Sequence, residues 1–244
     1  MDNRLLSSLS ATDYERLLPH LELIKMPLGF VLSESGSKQE YVYFPTTCIV
    51  SLLHVLEDGA SAEIAAVGFD GLVGTPLFMG GETTPSRAVV QSGGYGYRIS
   101  ARALKCEFMM GGEFQLLLLR YAQSLIIQMA QTAVCNRHHA LDQQLCRWLL
   151  VCLDRLPSNE VAMTQELIAN TLGVRREGVT TAAGRLQAAG LIQCTRGKIT
   201  VLNRPGLEAR TCECYSVVKR ESERLFTPSS RTANTISPPV YSYR

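Results

Sequence analysis

The spacing of apolar positions changes character several times along the chain. Residues 4–23 read as short helices: Leu5 and Leu6, then Ser10 or Thr12 as a cap before Tyr14, Leu17 and Leu18, with a break at Pro19. From Lys25 to Ile99, short alternating runs take over, and 30–33, 41–44, 49–56, 62–67, 88–91 and 95–99 are the expected strands. Turn residues separate them at Glu34–Ser37, Glu57–Gly59, Gly68–Gly71, Gly80-Gly81 and Gly93-Gly94. Many short strands with glycine-rich turns predict a sandwich or barrel.

Lys105 to Cys135 returns to helical spacing and is apolar on two faces. One stripe is Leu118, Ala122, Leu125 and Met129; another is Leu119, Ile126, Ala130 and Ala133. A helix apolar on two faces must be covered on two faces. Asn136 to Ala140 is a polar break, and 141–156, with Leu145, Trp148, Leu149 and Cys152, reads as a further helix.

Met163 to Ile192 then spells two short helices and a tight turn. Thr164 is an N-cap, Leu167, Ile168 and Leu172 make a buried stripe, and Gly173 is the natural stop. Val179, Ala182, Ala183 and Leu186 face inward from the second helix, which leaves Arg175, Arg176, Glu177, Thr180 and Thr181 outward. Arg, Glu and Thr at the start of a helix are side chains that reach base edges in a major groove. A helical hairpin with a solvated charged face has the same pattern. The next stretch favours the DNA reader: two short strands, 191–195 and 198–202, turn at Arg196-Gly197. A helix-turn-helix followed by a basic-tipped hairpin is a winged helix, with Arg196 and Lys198 placed to flank a phosphate backbone.

From Thr164 to about Ile192 the chain resembles, without a gap, the DNA-binding domain of the Crp/Fnr regulators, the cyclic-AMP receptor protein and its relatives. Arg176-Glu177 falls on the Arg-Glu pair that reads bases in that family, and Thr164 matches a family position that contacts phosphate, so the resemblance implies a phosphate role for Thr164 and its neighbour Gln165. A third family reader, an Arg, aligns with Thr181, so the motif carries over while the target sequence differs. The resemblance implies an α+β chain: a double-stranded β-roll (jelly roll), a long dimerisation helix and a C-terminal winged helix-turn-helix. The expected boundaries are 1–111 for a cyclic-nucleotide-binding-like sensor and 112–136 for the dimerisation helix. The DNA-binding domain then covers 137–206, a last helix 207–226 and a disordered tail 227–244, rich in Ser, Thr and Pro.

The resemblance also frames the ligand question. Cyclic-nucleotide binders hold the ribose with a Glu and the phosphate with an Arg followed by a small hydroxyl residue. Here Gly71–Pro76 has no carboxylate, and Ala88 follows Arg87. Losing that Glu removes a charge-assisted hydrogen bond worth about 1.5–3 kcal/mol, so cyclic AMP is not the expected ligand. Gly74, Thr75 and Arg87 remain the candidate pocket for an unknown effector, and a plain surface role for Arg87 stays open. The implied partners are double-stranded DNA, RNA polymerase and a second copy of the chain. The second copy would pair along Leu118, Ala122, Leu125 and Met129; a helix buried within one monomer is the alternative.

Composition sharpens this picture only through its distribution. Net charge is +2, yet residues 1–136 carry 13 acidic against 9 basic side chains, and 137–244 carry 9 against 15. A basic half joined to an acidic half suits a DNA-binding module with a separate sensor. No apolar run of about 18 residues and no export signal appear, so a cytoplasmic protein with no membrane partner is expected. The eight cysteines follow neither zinc-site nor disulfide spacing, and residues 1–47 hold none, unlike the iron–sulfur branch of the family. Neither a metal nor a cofactor is expected. The Cys212-Glu213-Cys214-Tyr215 run matches one branch of the family, without a physical role to attach to it. His138-His139 points in two directions on a helix and suggests no ligand pair. A sensor module whose DNA contact is secondary is the rival function. A thiol hydrolase using Cys106 or Cys135 with His138 has neither a nucleophile turn nor paired carboxylates behind it, so no catalytic residue is expected.

Overall fold

The computed structural model describes residues 3–227. Of the tail expected to be disordered, 228–244 lie outside the described residues. Two short helices open the chain, α1 (Arg4–Ser7) and α2 (Ala11–Leu17), followed by a 3-10 turn at Leu18–His20. Ser10, rather than Thr12, caps α2 by accepting from the Asp13 amide.

Seven strands follow: β1 (Glu22–Met26), β2 (Val31–Ser33), β3 (Tyr41–Pro45), β4 (Ile49–Val55), β5 (Ser61–Val67), β6 (Ser86–Ser92) and β7 (Gly94–Ser100). They form two antiparallel sheets, ordered β1-β7-β3 and β2-β6-β4-β5. Met26, Val42, Phe44 and Ile99 from the first sheet meet Val50, Ala65, Val67, Ala88 and Val90 from the second in one core. Six of these strands follow the alternation in the sequence. β1 does not: only Met26 of its five residues is buried, and pairing with β7 holds it in place.

After α3 (Ala101–Met109) the long helix α4 runs from Gly112 to His138, two residues beyond the expected end. Its inner face, including Phe114, Leu118, Tyr121, Ala122 and Leu125, joins the core of the roll, with Met129 packed partly against it. This corrects the expected dimer stripe. Leu118, Ala122 and Leu125 are buried inside their own subunit and Met129 partly so, and the apolar side chains left outward are Leu116, Leu119, Ile126, Ala130, Ala133 and Val134. Both stripes have helical spacing. The roll takes the one with the larger side chains, because that burial removes more apolar surface from water.

The second half contains α5 (Leu141–Leu153), β8 (Glu160–Val161), α6 (Gln165–Leu172), α7 (Arg176–Ala188), β9 (Ile192–Thr195) and β10 (Lys198–Val201). β8 pairs with β10 and turns the two-stranded wing into a three-stranded sheet, β8-β10-β9. The expected single last helix is two, α8 (Arg204–Arg210) and α9 (Glu213–Leu225), because the backbone is extended at Thr211 and Cys212. α9 folds back along α4, placing Tyr215 in the second core and Leu225 in the first. Near its end, the Arg4 guanidinium lies 4.0 Å from the centre of the Phe226 ring.

The two halves are docked. α6 packs on β5, and Ile49 and Ala66 of the roll belong to the second core. Arg155 crosses the junction with a bidentate pair to Asp70, Nε to Oδ1 at 2.9 Å and Nη2 to Oδ2 at 2.8 Å. Among the described residues no helix is long and apolar enough to cross a membrane.

Candidate nucleic-acid interface

Thr164 caps α6, its hydroxyl accepting from the Leu167 amide at 3.2 Å. Gly173 ends the helix at φ +66°, a left-handed conformation that costs glycine little and a β-carbon more. Val174 donates its amide to Ala169 O and closes the turn, and Arg175 is the N-cap residue of α7. Val179, Ala182, Ala183 and Leu186 are buried on the inner side of α7. A bidentate ion pair from Arg185 to Asp142 fixes α7 against α5, with Nε–Oδ2 at 2.8 Å.

This frame leaves Arg175, Arg176, Glu177, Thr180 and Thr181 all exposed at one end of the helix. Thr180 donates to Gln165 Oε1 at 2.7 Å, joining the start of α6 to the reading face. Thr181 turns its hydroxyl back to Glu177 O. Arg176 lies 3.9 Å from Glu166, a loose contact between two exposed side chains that a phosphate or base can displace. In the wing, Arg196 is exposed at the tip, whereas Lys198 is paired with Glu160 at 2.5 Å. Every residue expected to meet DNA thus lies on α6, α7 or the wing, and none is tucked under the roll.

The candidate effector residues are less well placed. Gly74 begins a single 3-10 turn, Thr75–Leu77, and Arg87 on β6 pairs with Glu34 at 3.0 Å. An anion reaching Arg87 would have to displace a carboxylate. At the docked junction a different group stands out. Glu63 of β5 is buried, and burial raises its carboxyl above the ordinary value of 4.5, against the pull of the Ser51 hydrogen bond and of Arg147 and Arg155. Ser51 Oγ lies 2.5 Å from Glu63 Oε2 and 2.9 Å from Gln91 Oε1.

A second gathering was not legible in local spacing. Cys135, near the end of α4, meets Cys212 at 3.5 Å between sulfurs; Cys214 Sγ lies 3.6 Å from His139 Nδ1. The Cys135–His138 pairing, which had no motif behind it in the sequence, gains no support, since His138 faces solvent and His139 turns inward. Burial pushes both the Cys135 and Cys214 thiols up, and nearby Arg147 opposes this at Cys135. The signal available in the sequence was Cys135-x3-His139, one helical turn apart, with the paired C-x-C far downstream.

A roll, a long helix and a winged helix-turn-helix make up a fold that the chain shares with solved structures of Crp/Fnr-family proteins. Residues 143–210 match the family model of the Crp-like helix-turn-helix domain. The chain shares its fold with a Crp/Fnr-family transcriptional regulator from Eubacterium rectale, at TM-score 0.67 and 17% identity over 85% of this chain and 97% of that one. A CRP-family regulator from Thermus thermophilus gives 0.65 and 18%, over 77% and 95%. FixK2 from Bradyrhizobium japonicum gives 0.64 and 16%, over 79% and 98%. No curated protein matches the chain.

Proposed function

We propose that this chain is a transcription regulator that binds a pseudo-palindromic operator as a homodimer and is modulated through its β-roll. The observation that carries the reading is the common exposure of Arg175, Arg176, Glu177, Thr180 and Thr181 at the start of α7, flanked by the α6 cap and the wing. Arg176 would donate to guanine O6 and N7, and Glu177 accept from cytosine N4, each contact worth about 1–3 kcal/mol of discrimination. Thr164, Gln165, Arg196 and Lys198 would hold phosphates and set register. Paired reading helices would sit about 34 Å apart, in successive major grooves. The second copy would meet the outward stripe Leu119, Ile126, Ala130 and Ala133. Domain limits near 1–111, 112–138 and 139–206 suit this division of labour. RNA polymerase is the further protein partner the reading implies. No catalytic role is assigned.

The docked junction supports a route for regulation: whatever shifts β5 also shifts α6, against which it packs. Selection of binding sites from random duplexes with the full-length protein tests the proposal. A palindromic consensus with two half-sites is expected. Failure to enrich any sequence, together with a monomer in sedimentation, would refute it.

A further inference from the structure

We infer that Cys135, His139, Cys212 and Cys214 form a binding site for one divalent, thiophilic metal ion of the zinc type. One ligand atom from each lies within 4.8 Å of all the others, with the three cysteines buried. A tetrahedral zinc with bonds of about 2.3 Å to sulfur and about 2.0–2.1 Å to nitrogen spaces its ligands roughly 3.6–3.8 Å apart. The observed Cys135–Cys212 and Cys214–His139 separations of 3.5 and 3.6 Å need little adjustment to reach that geometry. An iron–sulfur cluster, which places several metal atoms between its thiolates, needs a wider cage. Three cysteines and one histidine form a closed set typical of structural zinc. The site stands apart from the DNA reading, since it requires nothing of α7.

The surroundings are those of a metal site rather than of idle thiols. His139 aims Nδ1 at Cys214 while Nε2 lies 3.4 Å from Glu213 Oε2, the carboxylate–histidine pairing that orients a ligating ring. Gln144 Nε2 donates to His139 O at 2.9 Å and holds the backbone behind the ring. Cys212 is the N-cap of α9 and Cys214 lies in its first turn, so the start of one helix carries both downstream sulfurs. Binding releases a proton from each of the three thiols and leaves the site with net charge −1. Arg147, buried beside Cys135, has a guanidinium Nε without a protein partner and a positive charge to balance it. The extended backbone at Thr211 and Cys212, which splits the last helix in two, is what brings both downstream sulfurs to Cys135. The ion would clamp the end of α4, where the chain passes from roll to DNA-binding domain, to the helix that packs back along α4.

The test begins with the full-length protein purified under reducing conditions from zinc-supplemented cells. Elemental analysis should find about one zinc per chain, and X-ray absorption three sulfurs and one nitrogen around it. Cobalt exchanged for zinc should give thiolate charge-transfer bands and the intense d–d bands of a tetrahedral site. The double variant Cys135→Ser, Cys214→Ser should lose at least nine-tenths of the metal, whereas Cys48→Ser, Cys106→Ser should keep it. Wild-type protein without stoichiometric metal would overturn the inference. So would a Cys135–Cys212 disulfide under these conditions, a multi-iron chromophore, or retention of metal by the first double variant. If that variant fails to fold, the absorption spectrum of the wild-type site decides alone.

Discussion

Arg176 and Lys198 are both basic and both near the expected duplex, yet they should behave differently. Arg176 is exposed and only loosely matched to Glu166, so its fork is available to a base. Arg176→Ala should relax preference at one position in each half-site, read as a flattened column in the selected consensus. Selection of the unchanged consensus would remove Arg176 as a reader. Lys198 is a wing cation already held by Glu160. Lys198→Ala should weaken binding to all sequences alike and flatten the salt dependence by about one unit or less. Glu63 makes a different kind of prediction. A hydroxyl carries one proton, so Ser51 cannot donate to both Glu63 and Gln91. A protonated Glu63 donating to Ser51, which then donates to Gln91 Oε1, satisfies all three groups and leaves Gln91 Nε2 facing Met163 Sδ at 3.1 Å. Because its folded value is raised, the stability it contributes is complete below 4.5 and is lost as pH rises through the folded value. Glu63→Gln should keep the geometry and flatten that decline in thermal scans at a series of pH values; an unchanged slope would show that Glu63 is not its source.

At the scale of elements, the reading helix was legible because its inward and outward positions differ in chemistry: small apolar Val179, Ala182 and Ala183 against Arg176, Glu177 and Thr180. α4 was not, because both of its stripes are apolar and only the roll decides which is covered. The consequence is measurable. Ile126→Glu, on the outward stripe, should leave the fold intact and yield a monomer in sedimentation, since Ile126 is 56% exposed in the single chain. Leu118→Ala, at 0% exposure, should cost about 2–5 kcal/mol in denaturant unfolding and leave the association state of the folded fraction unchanged. The reverse pattern would restore the stripe first expected from the sequence. β1 and β8 escaped for a related reason. β1 alternates too little to show a face, and β8 is two residues long, so each is defined by a partner strand distant in sequence.

In the molecule as a whole, the junction between the halves depends on charge as well as on packing. Arg155 and Asp70 are largely shielded from water, with side chains 8% and 15% exposed. Removing one partner leaves the other buried and unpaired, at a cost of about 3–5 kcal/mol. Asp70→Ala should lower the unfolding midpoint and, short of unfolding, raise hydrogen exchange across β5 and α6; unchanged exchange there would mean that the docking does not depend on this pair. Contacts of this kind, such as Arg155 with Asp70 or Cys135 with Cys212, could not be read from local patterns, because 85 and 77 residues separate the partners. Sequence periodicity identifies which residues are inside, and only the folded arrangement says against what.

The returning path of α9, with Tyr215 in one core and Leu225 in the other, makes the usual dissection of such a chain awkward. A sensor fragment cut after α4 would lose the cover over part of that helix, and a reader fragment beginning at α5 would carry a helix whose far end has nothing to rest on. Each half expressed alone would present a raw apolar edge, so the unit to assay is the undivided polypeptide.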